Sequence, residues 1–113
     1  IIMGSLSIGI DIEEIERFYK YPIKENPSLY DKLFTSSEIA YCLTKANPYI
    51  HFTARFCAKE AAIKALKNNK IDPKKIEVIM SKNIPSLILP ENRTNLLSIS
   101  HTRKYAVATV LIL

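Results

Sequence analysis

This chain offers almost nothing from which a membrane span, a disulfide framework or a cysteine-based metal cluster could be made. No apolar run in its 113 residues approaches the roughly 20 needed to cross a bilayer as a helix. The first residues lack a basic region followed by a long apolar stretch, so no secretory leader is expected. Cysteine is confined to Cys42 and Cys57, with no CxxC spacing and no histidine at ligand spacing. A reduced, cytoplasmic protein with both thiols packed in or near its core is expected. No repeat, low-complexity tract or linker divides the sequence. A single domain over 1–113 is the expectation, long enough to bury roughly two-thirds of its unfolded surface.

What is present is charge in one place. The net charge is +5. Between Arg55 and Lys75 lie seven basic residues (Arg55, Lys59, Lys64, Lys67, Lys70, Lys74, Lys75) against Glu60 and Asp72, while the remainder holds nine of each sign. A localised excess favours a discrete anionic ligand over general basicity. Cations at a helix C-terminus also suit the macrodipole, which accounts for Lys67 and Lys70 but poorly for Arg55 and Lys59.

Periodicity divides the chain into a helical first half and a strand-rich second half. Leu6–Ile12 reads as a strand, after which Asp11 is placed to cap a helix, with Glu14 completing a capping box. Ile12, Ile15, Phe18 and Tyr19 form that helix's apolar stripe, Arg17, Lys20 and Tyr21 face outward, and Pro22 ends it. A short helix is expected over Ser28–Phe34. Thr35, with Glu38 three residues on, opens another through about Lys45. Pro48 suits the first turn of a long helix running to about Asn69. Beyond Pro73, Ile76–Met80 and Ser86–Leu89 read as strands joined by a turn containing Asn83 and Pro85. Leu96–Ser100 and Tyr105–Leu113 follow. The segregation argues for an α+β fold, an antiparallel sheet packed with a long central helix and shorter helices. The last strand, apolar on both faces, needs covering on both, by helices or a neighbouring subunit.

Three segments carry chemistry. One strand ends in an acid at Ile8-Gly9-Ile10-Asp11, and another in Ser98-Ile99-Ser100-His101. Between them, the long helix places Glu60 and Lys64 on one face, with Arg55 and Lys59 on the adjoining one. Acid, helix and histidine, each at the edge of an apolar element, suit a metal–phosphate site. Ordinary helix pairing for the Glu60–Lys64 set, and a plain helix cap for Asp11, are the alternative readings.

In order, these segments resemble the signatures of the holo-[acyl-carrier-protein] synthase family of 4′-phosphopantetheinyl transferases. Ile8 to Arg17 is similar to its glycine–x–Asp–Ile element and following helix. Arg55-Phe56-Cys57-Ala58-Lys59-Glu60-Ala61-Ala62-Ile63-Lys64-Ala65 is similar to its Arg-Phe-x-Ala-Lys-Glu-Ala-x-x-Lys-Ala signature. Ser98 to Ala106 is similar to its Ser-x-[Ser/Thr]-His-Thr-x-x-Tyr-Ala element. The resemblance implies transfer of the phosphopantetheine arm of coenzyme A to a serine of an acyl carrier protein in fatty acid synthesis, releasing adenosine 3′,5′-bisphosphate. It implies Mg²⁺ held by Asp11 and Glu60, in keeping with the preference of that ion for one or two carboxylates plus phosphate oxygens and water. Asp11, Glu60 and Lys64 are the implied catalytic residues, Lys64 reaching the pyrophosphate to stabilise charge while a metal-ordered water takes the serine proton. Arg55, Lys59, Lys64, His101 and Thr102 are the implied coenzyme A contacts. Arg17, Lys20 and Lys24 would meet an acidic helix of the carrier protein. A homotrimer with active sites between subunits is also implied.

The chain departs from that pattern in two turns. The segment Lys67-Asn68-Asn69-Lys70-Ile71-Asp72 has no glycine, and Asn68 or Asn69 is expected to supply the left-handed cap. The usual Gly-Lys-Pro turn is replaced by Asn83-Ile84-Pro85. Two rival readings accompany the enzyme: a relative that binds coenzyme A or a carrier protein without transfer, and a small basic nucleic-acid-binding domain. Glu60 interrupts the basic cluster and no nucleic-acid motif is present, which weighs against the second. Neither nucleic acid nor membrane is an expected partner.

Overall fold

The computed structural model describes residues 6–113. A strand, β1 (Ser7–Glu14), leads into a one-turn helix, α1 (Glu16–Tyr19). Two short helices follow, α2 (Pro27–Leu33) and α3 (Ser36–Leu43), then the long α4 (Pro48–Leu66). The second half holds β2 (Glu77–Ser81), β3 (Ile84–Ile88), β4 (Asn95–His101) and β5 (Tyr105–Ile112). The strands form a three-stranded antiparallel sheet in the order β1-β5-β4 and a separate β2–β3 hairpin. The expected α+β architecture, with a long central helix against an antiparallel sheet, is what the chain adopts.

Helix α4 is central because alanine makes it so. Ala54, Ala58, Ala61, Ala62 and Ala65 are buried around its circumference, against Ala106, Ala108, Val110 and Ile112 of β5 on one side and Val78 and Leu87 of the hairpin on another. Small side chains on both surfaces allow close backbone approach, and continuous burial replaces the single apolar stripe of a surface helix. Asn47 caps the helix by accepting from the Tyr49 N–H at 3.1 Å, with Pro48 in the first turn. A second, aromatic core of Phe18, Tyr30, Phe34 and Phe52 closes the α1–α2–α3 end of the molecule. Phe52 and Tyr30 meet edge to face at 4.8 Å between centroids, within the favoured range for such pairs.

Several sequence expectations are corrected here. Asp11 is not a helix cap: it lies inside β1, whose pairing with β5 runs unbroken from Ser7 opposite Ile112 to Glu14 opposite Tyr105. Pairing with an apolar partner strand overrides the local capping-box signal, so the helix waits until Glu16 and begins without a side-chain cap. Ile12 accordingly leaves the proposed helical stripe and points to the opposite face of the sheet. Helix α4 ends at Leu66 and its left-handed cap is Lys67, at φ 57°, in place of either asparagine. At the hairpin the two turn residues are Lys82 and Asn83, both with positive φ (52° and 64°). A two-residue loop of that hand matches the twist of the strands it joins, so Pro85 falls inside β3. The Thr35–Glu38 capping box forms as expected, with Glu38 N–H donating to Thr35 Oγ1 at 3.2 Å and Thr35 N–H to Glu38 Oε1 at 2.8 Å.

One face of the three-stranded sheet is covered by α4 and the other is not. Ile8, Ile10 and Ile12 stand 59–67% exposed on the open face, opposite Leu111, Thr109 and Val107 of β5, with Leu96 of β4 alongside. The expectation that both faces of the last strand need cover is met within the protomer on one side only.

Candidate active site

Strand alternation sends Ser7, Gly9, Asp11 and Glu13 toward α4. Their register on the helix is set by the main chain. A Cβ on Gly9 would lie 1.9 Å from the Ala61 carbonyl oxygen and 2.9 Å from the Ala65 nitrogen, so only glycine fits between strand and helix. Ser7 Oγ donates to the Ala65 carbonyl at 2.6 Å on one side of this contact. On the other, Lys64 Nζ donates to the Ile10 carbonyl at 2.9 Å and to Asp11 Oδ1 at 3.2 Å. Asp11 is thereby gathered at one seam with Glu60 and Lys64, about fifty positions further along the chain.

The seam is short of positive charge. Asp11 Oδ2 is buried and has no hydrogen-bond partner. Burial raises the Glu60 carboxyl above its ordinary range; the negative charge of Asp11 adds to the shift, and Lys64 and Arg17 oppose it. Glu13 is pushed up to about 7 by burial and by the hydrogen bond and charge of Asp11, against Arg17. Burial also raises the Cys57 thiol, with Asp11 and Glu13 reinforcing the effect. Its Sγ donates to the Ala106 carbonyl at 3.3 Å. Both cysteines are free and buried.

This donor chemistry fits a hard divalent cation that keeps most of its ligands as water or phosphate oxygen. An orphaned carboxylate oxygen beside a second carboxylate whose ionisation is penalised is a place where positive charge relieves strain. Among the described residues no three His, Cys, Asp or Glu side chains gather at one metal-sized point. Two carboxylates at one seam suit the sparse protein coordination that Mg²⁺ prefers better than the all-protein coordination of a structural zinc.

The other end of α4 gathers cations. The buried Arg55 guanidinium lies 4.3 Å from the centre of the Tyr41 ring, and Lys45 Nζ 4.7 Å from the same ring. Arg55 donates to the His51 carbonyl at 3.4 Å, and its Nε has no partner. His51 is held below its ordinary value by burial, then by the charges of Arg55, Lys45 and His101. A cavity of about 300 Å³ opens beside this group, lined by Ser37, Tyr41, Arg55, Glu77 and Met80 among others. His101 ends β4 on the surface, and the exposed Thr102 accepts from the Lys104 and Tyr105 N–H groups through Oγ1, shaping the turn.

Lys59, expected to contact coenzyme A, is turned into the protein. Its ammonium is buried, 2.7 Å from Glu38 Oε1 and 2.9 Å from the Pro73 carbonyl. Position on the helix puts it on the inward side, where burial lowers its pKa and Glu38 opposes that shift. Arg17, Lys20 and Lys24 are all exposed. Arg17 pairs with Glu13, lies 5.7 Å from the centre of Phe56 and borders an apolar groove of about 370 Å³ with Phe18, Tyr21, Leu29 and Leu33.

Sequence reasoning missed Glu13, Lys45 and His51. Glu13 was recoverable from the two-residue period once Asp11 is placed within a strand. Lys45 sits in no motif, and only tertiary packing brings it to Arg55 across the Tyr41 ring, whereas His51 lies one turn before Arg55 on α4, a spacing the sequence shows.

A small α+β domain in which a strand carboxylate meets a helix carboxylate and lysine is the frame of one known class. The sequence profile of the 4′-phosphopantetheinyl transferase superfamily matches residues 7–110, and the chain belongs to that superfamily. Within it, the chain is 44% identical over 108 residues to the holo-[acyl-carrier-protein] synthase of Thermodesulfovibrio yellowstonii, covering 93% of this chain and 96% of that one. It is 40% identical over 121 residues to the enzyme of that name from Chlamydia caviae, covering 98% and 99% respectively. Among solved structures, the Helicobacter pylori holo-[acyl-carrier-protein] synthase in complex with coenzyme A superposes with a TM-score of 0.82 at 28% identity, covering 94% of this chain and 99% of that one. The Bacillus anthracis synthase in complex with coenzyme A (3′,5′-ADP) gives 0.81 at 29%, covering 94% of each.

Proposed function

We propose that this chain, acting as one domain, transfers the 4′-phosphopantetheine arm of coenzyme A to a serine of an apo-acyl carrier protein. The serine oxygen gives its proton to a water and forms a bond to the β-phosphorus, and the bond from that phosphorus to the bridging oxygen breaks. Adenosine 3′,5′-bisphosphate leaves with the electron pair. The observation that carries this reading is the convergence of Asp11, Glu60 and Lys64, with one buried Asp11 oxygen unpartnered.

Asp11 and Glu60 would hold Mg²⁺, whose chemistry is to neutralise the diphosphate and stabilise charge on the departing phosphate. Lys64, already a donor to Asp11 Oδ1 and the Ile10 carbonyl, swings its ammonium to the diphosphate and stabilises the charge that develops there. It acts as a donor, not as a base. Arg55, with an unspent Nε beside a cavity, and the neighbouring Lys45, His51 and His101 receive the nucleotide end. Thr102 belongs with them by resemblance. Arg17, Lys20 and Lys24 meet the acidic carrier protein; Phe56 and the apolar groove accept its non-polar contacts.

The open apolar face of β1-β5-β4 supports a homotrimer in which each active site lies against a neighbour. Within the described residues no helix is long and apolar enough to cross a membrane, and a cytoplasmic role in fatty acid synthesis follows from the proposed reaction. The test is a mass measurement on apo-acyl carrier protein incubated with coenzyme A. A gain of one phosphopantetheine, abolished by EDTA and restored by Mg²⁺, is expected. Asp11→Ala and Glu60→Ala should fold and lose it. Normal turnover by either variant would remove the metal assignment.

A further inference from the structure

We propose that the cavity beside Arg55 seats the purine base of the nucleotide, and that Glu77 reads it by accepting a hydrogen bond from the exocyclic 6-amino group. This rests on the reading of Arg55 and its neighbours as the seat of the nucleotide end, and names the group selected there. Nothing in the resemblance gives Glu77 a role; its place in the cavity wall does.

The cavity, of about 300 Å³, has walls of opposite charge. Arg55 is buried, its guanidinium against the Tyr41 ring and its Nε unpartnered. Lys45 over the same ring and His51 one turn away extend the positive side. Glu77, at the head of β2, lines the same cavity. Among the described residues no ion pair joins it to Arg55. Tyr41 and Met80 give the apolar lining that a flat ring needs, with a few placed polar groups to orient it.

Glu77 is built to accept. Thr35 Oγ1 and Ser37 Oγ both donate to its Oε2, at 2.6 and 2.7 Å, while Oε1 meets no donor among the described residues. The two hydroxyls stand at the start of α3 and fix the carboxylate from the helix side. These bonds, that of Thr35 first, hold its pKa below the ordinary carboxylate value; burial opposes them and the charge of Lys59 assists. An ionised carboxylate accepts and has no proton to give.

Charge decides which part of the ligand lies against it. Adenosine 3′,5′-bisphosphate carries phosphates on both sides of its ribose, and these belong with the cations. A carboxylate repels them. The ribose is pinned between its phosphates, so the base is what remains to reach Glu77. Adenine has one N–H donor group, the 6-amino. A fixed acceptor opposite it selects that group and disfavours a base with a carbonyl oxygen there.

The test is calorimetric binding of adenosine 3′,5′-bisphosphate and of purine riboside 3′,5′-bisphosphate, which has hydrogen in place of the 6-amino group, with no carrier protein present. Wild type is expected to hold the adenosine form roughly 10- to 100-fold more tightly, the scale of a hydrogen bond to a charged group. Glu77→Met should bring the two ligands within about threefold of each other by weakening the adenosine form. Glu77→Gln, which keeps the length and loses the charge, should cut the ratio by at least about threefold. Circular dichroism and urea midpoints check that each variant folds; the wild-type ratio stands as a test without them. A wild-type ratio near one overturns the inference. So does a folded variant that weakens both ligands equally and keeps the ratio, the signature of a merely structural tie between β2 and α3. Both outcomes leave Arg55 and its neighbours as the nucleotide seat. Failure of wild type to bind either bisphosphate overturns that seat, and this inference with it.

Discussion

Lys59→Met tests whether the lysine of the helix signature serves the fold or the ligand. The ammonium and the Glu38 carboxylate are each 1% exposed and 2.7 Å apart. The remaining polar capacity is used: Lys59 Nζ donates to the Pro73 carbonyl at 2.9 Å, and Glu38 accepts from the Val78 N–H at 2.8 Å and the Thr35 N–H at 2.8 Å. Nζ also sits 5.6 Å from the centre of Phe34. One ion pair therefore ties together α3, α4, β2 and the turn at Pro73. Deleting one partner leaves the other charge buried, which costs about 3–5 kcal/mol. For a domain of this size that lowers the melting temperature by roughly 12–20 °C. Urea unfolding of Lys59→Met is expected to show this loss, and Glu38→Gln/Lys59→Met to recover part of it by removing the stranded charge. Coenzyme A affinity of the folded Lys59→Met protein, measured by calorimetry, should stay near wild type. A variant as stable as wild type, or one of full stability that no longer binds coenzyme A, would refute the structural role.

Three further outcomes are expected. Gly9→Ala forces a Cβ to within 1.9 Å of the Ala61 carbonyl oxygen and should cost at least about 3 kcal/mol in urea unfolding, above the usual range for overpacking because the obstacle is backbone. Glu13, raised from 4.5 to about 7, holds a proton in the folded state that the unfolded chain has released. Its contribution is complete below pH 4.5 and is lost as pH rises through 7. In EDTA, the stability of Glu13→Gln relative to wild type should therefore grow in the variant's favour between pH 4.5 and 7.5, as followed by urea midpoints. On the proposed homotrimer, wild type should sediment as a trimer and Ile10→Asp, at the middle of the open sheet face, as a monomer.

Much of this arrangement was readable from residue order. The Thr35–Glu38 box, Pro48 at the head of the long helix and the change of period after Pro73 are local signals, and each has its element. The acid of β1 and the Glu60–Lys64 pair were visible because four-residue spacing on a helix fixes a shared face whatever surrounds it. Two kinds of feature were not readable. The end of β1 is decided by its pairing with β5, a partner some hundred positions later, so a plausible capping box at Asp11 lost to long-range hydrogen bonding. The orientation of α4 within the core decides which basic residues meet solvent. Lys59 and Arg55, four apart, look equivalent in sequence, yet one finds Glu38 inside the protein and the other borders a cavity. Lys67 taking a left-handed cap reflects the same limit, since strain of about 1–2 kcal/mol in one residue is outweighed by where the chain must go next.

The contact at Gly9 has a bearing on how this protein can vary. Two main chains touch there, one residue from Glu60 on the helix and two from Asp11 on the strand. The gauge between the two acids is therefore cut into the polypeptide itself. A single methyl group at position 9 would reset it.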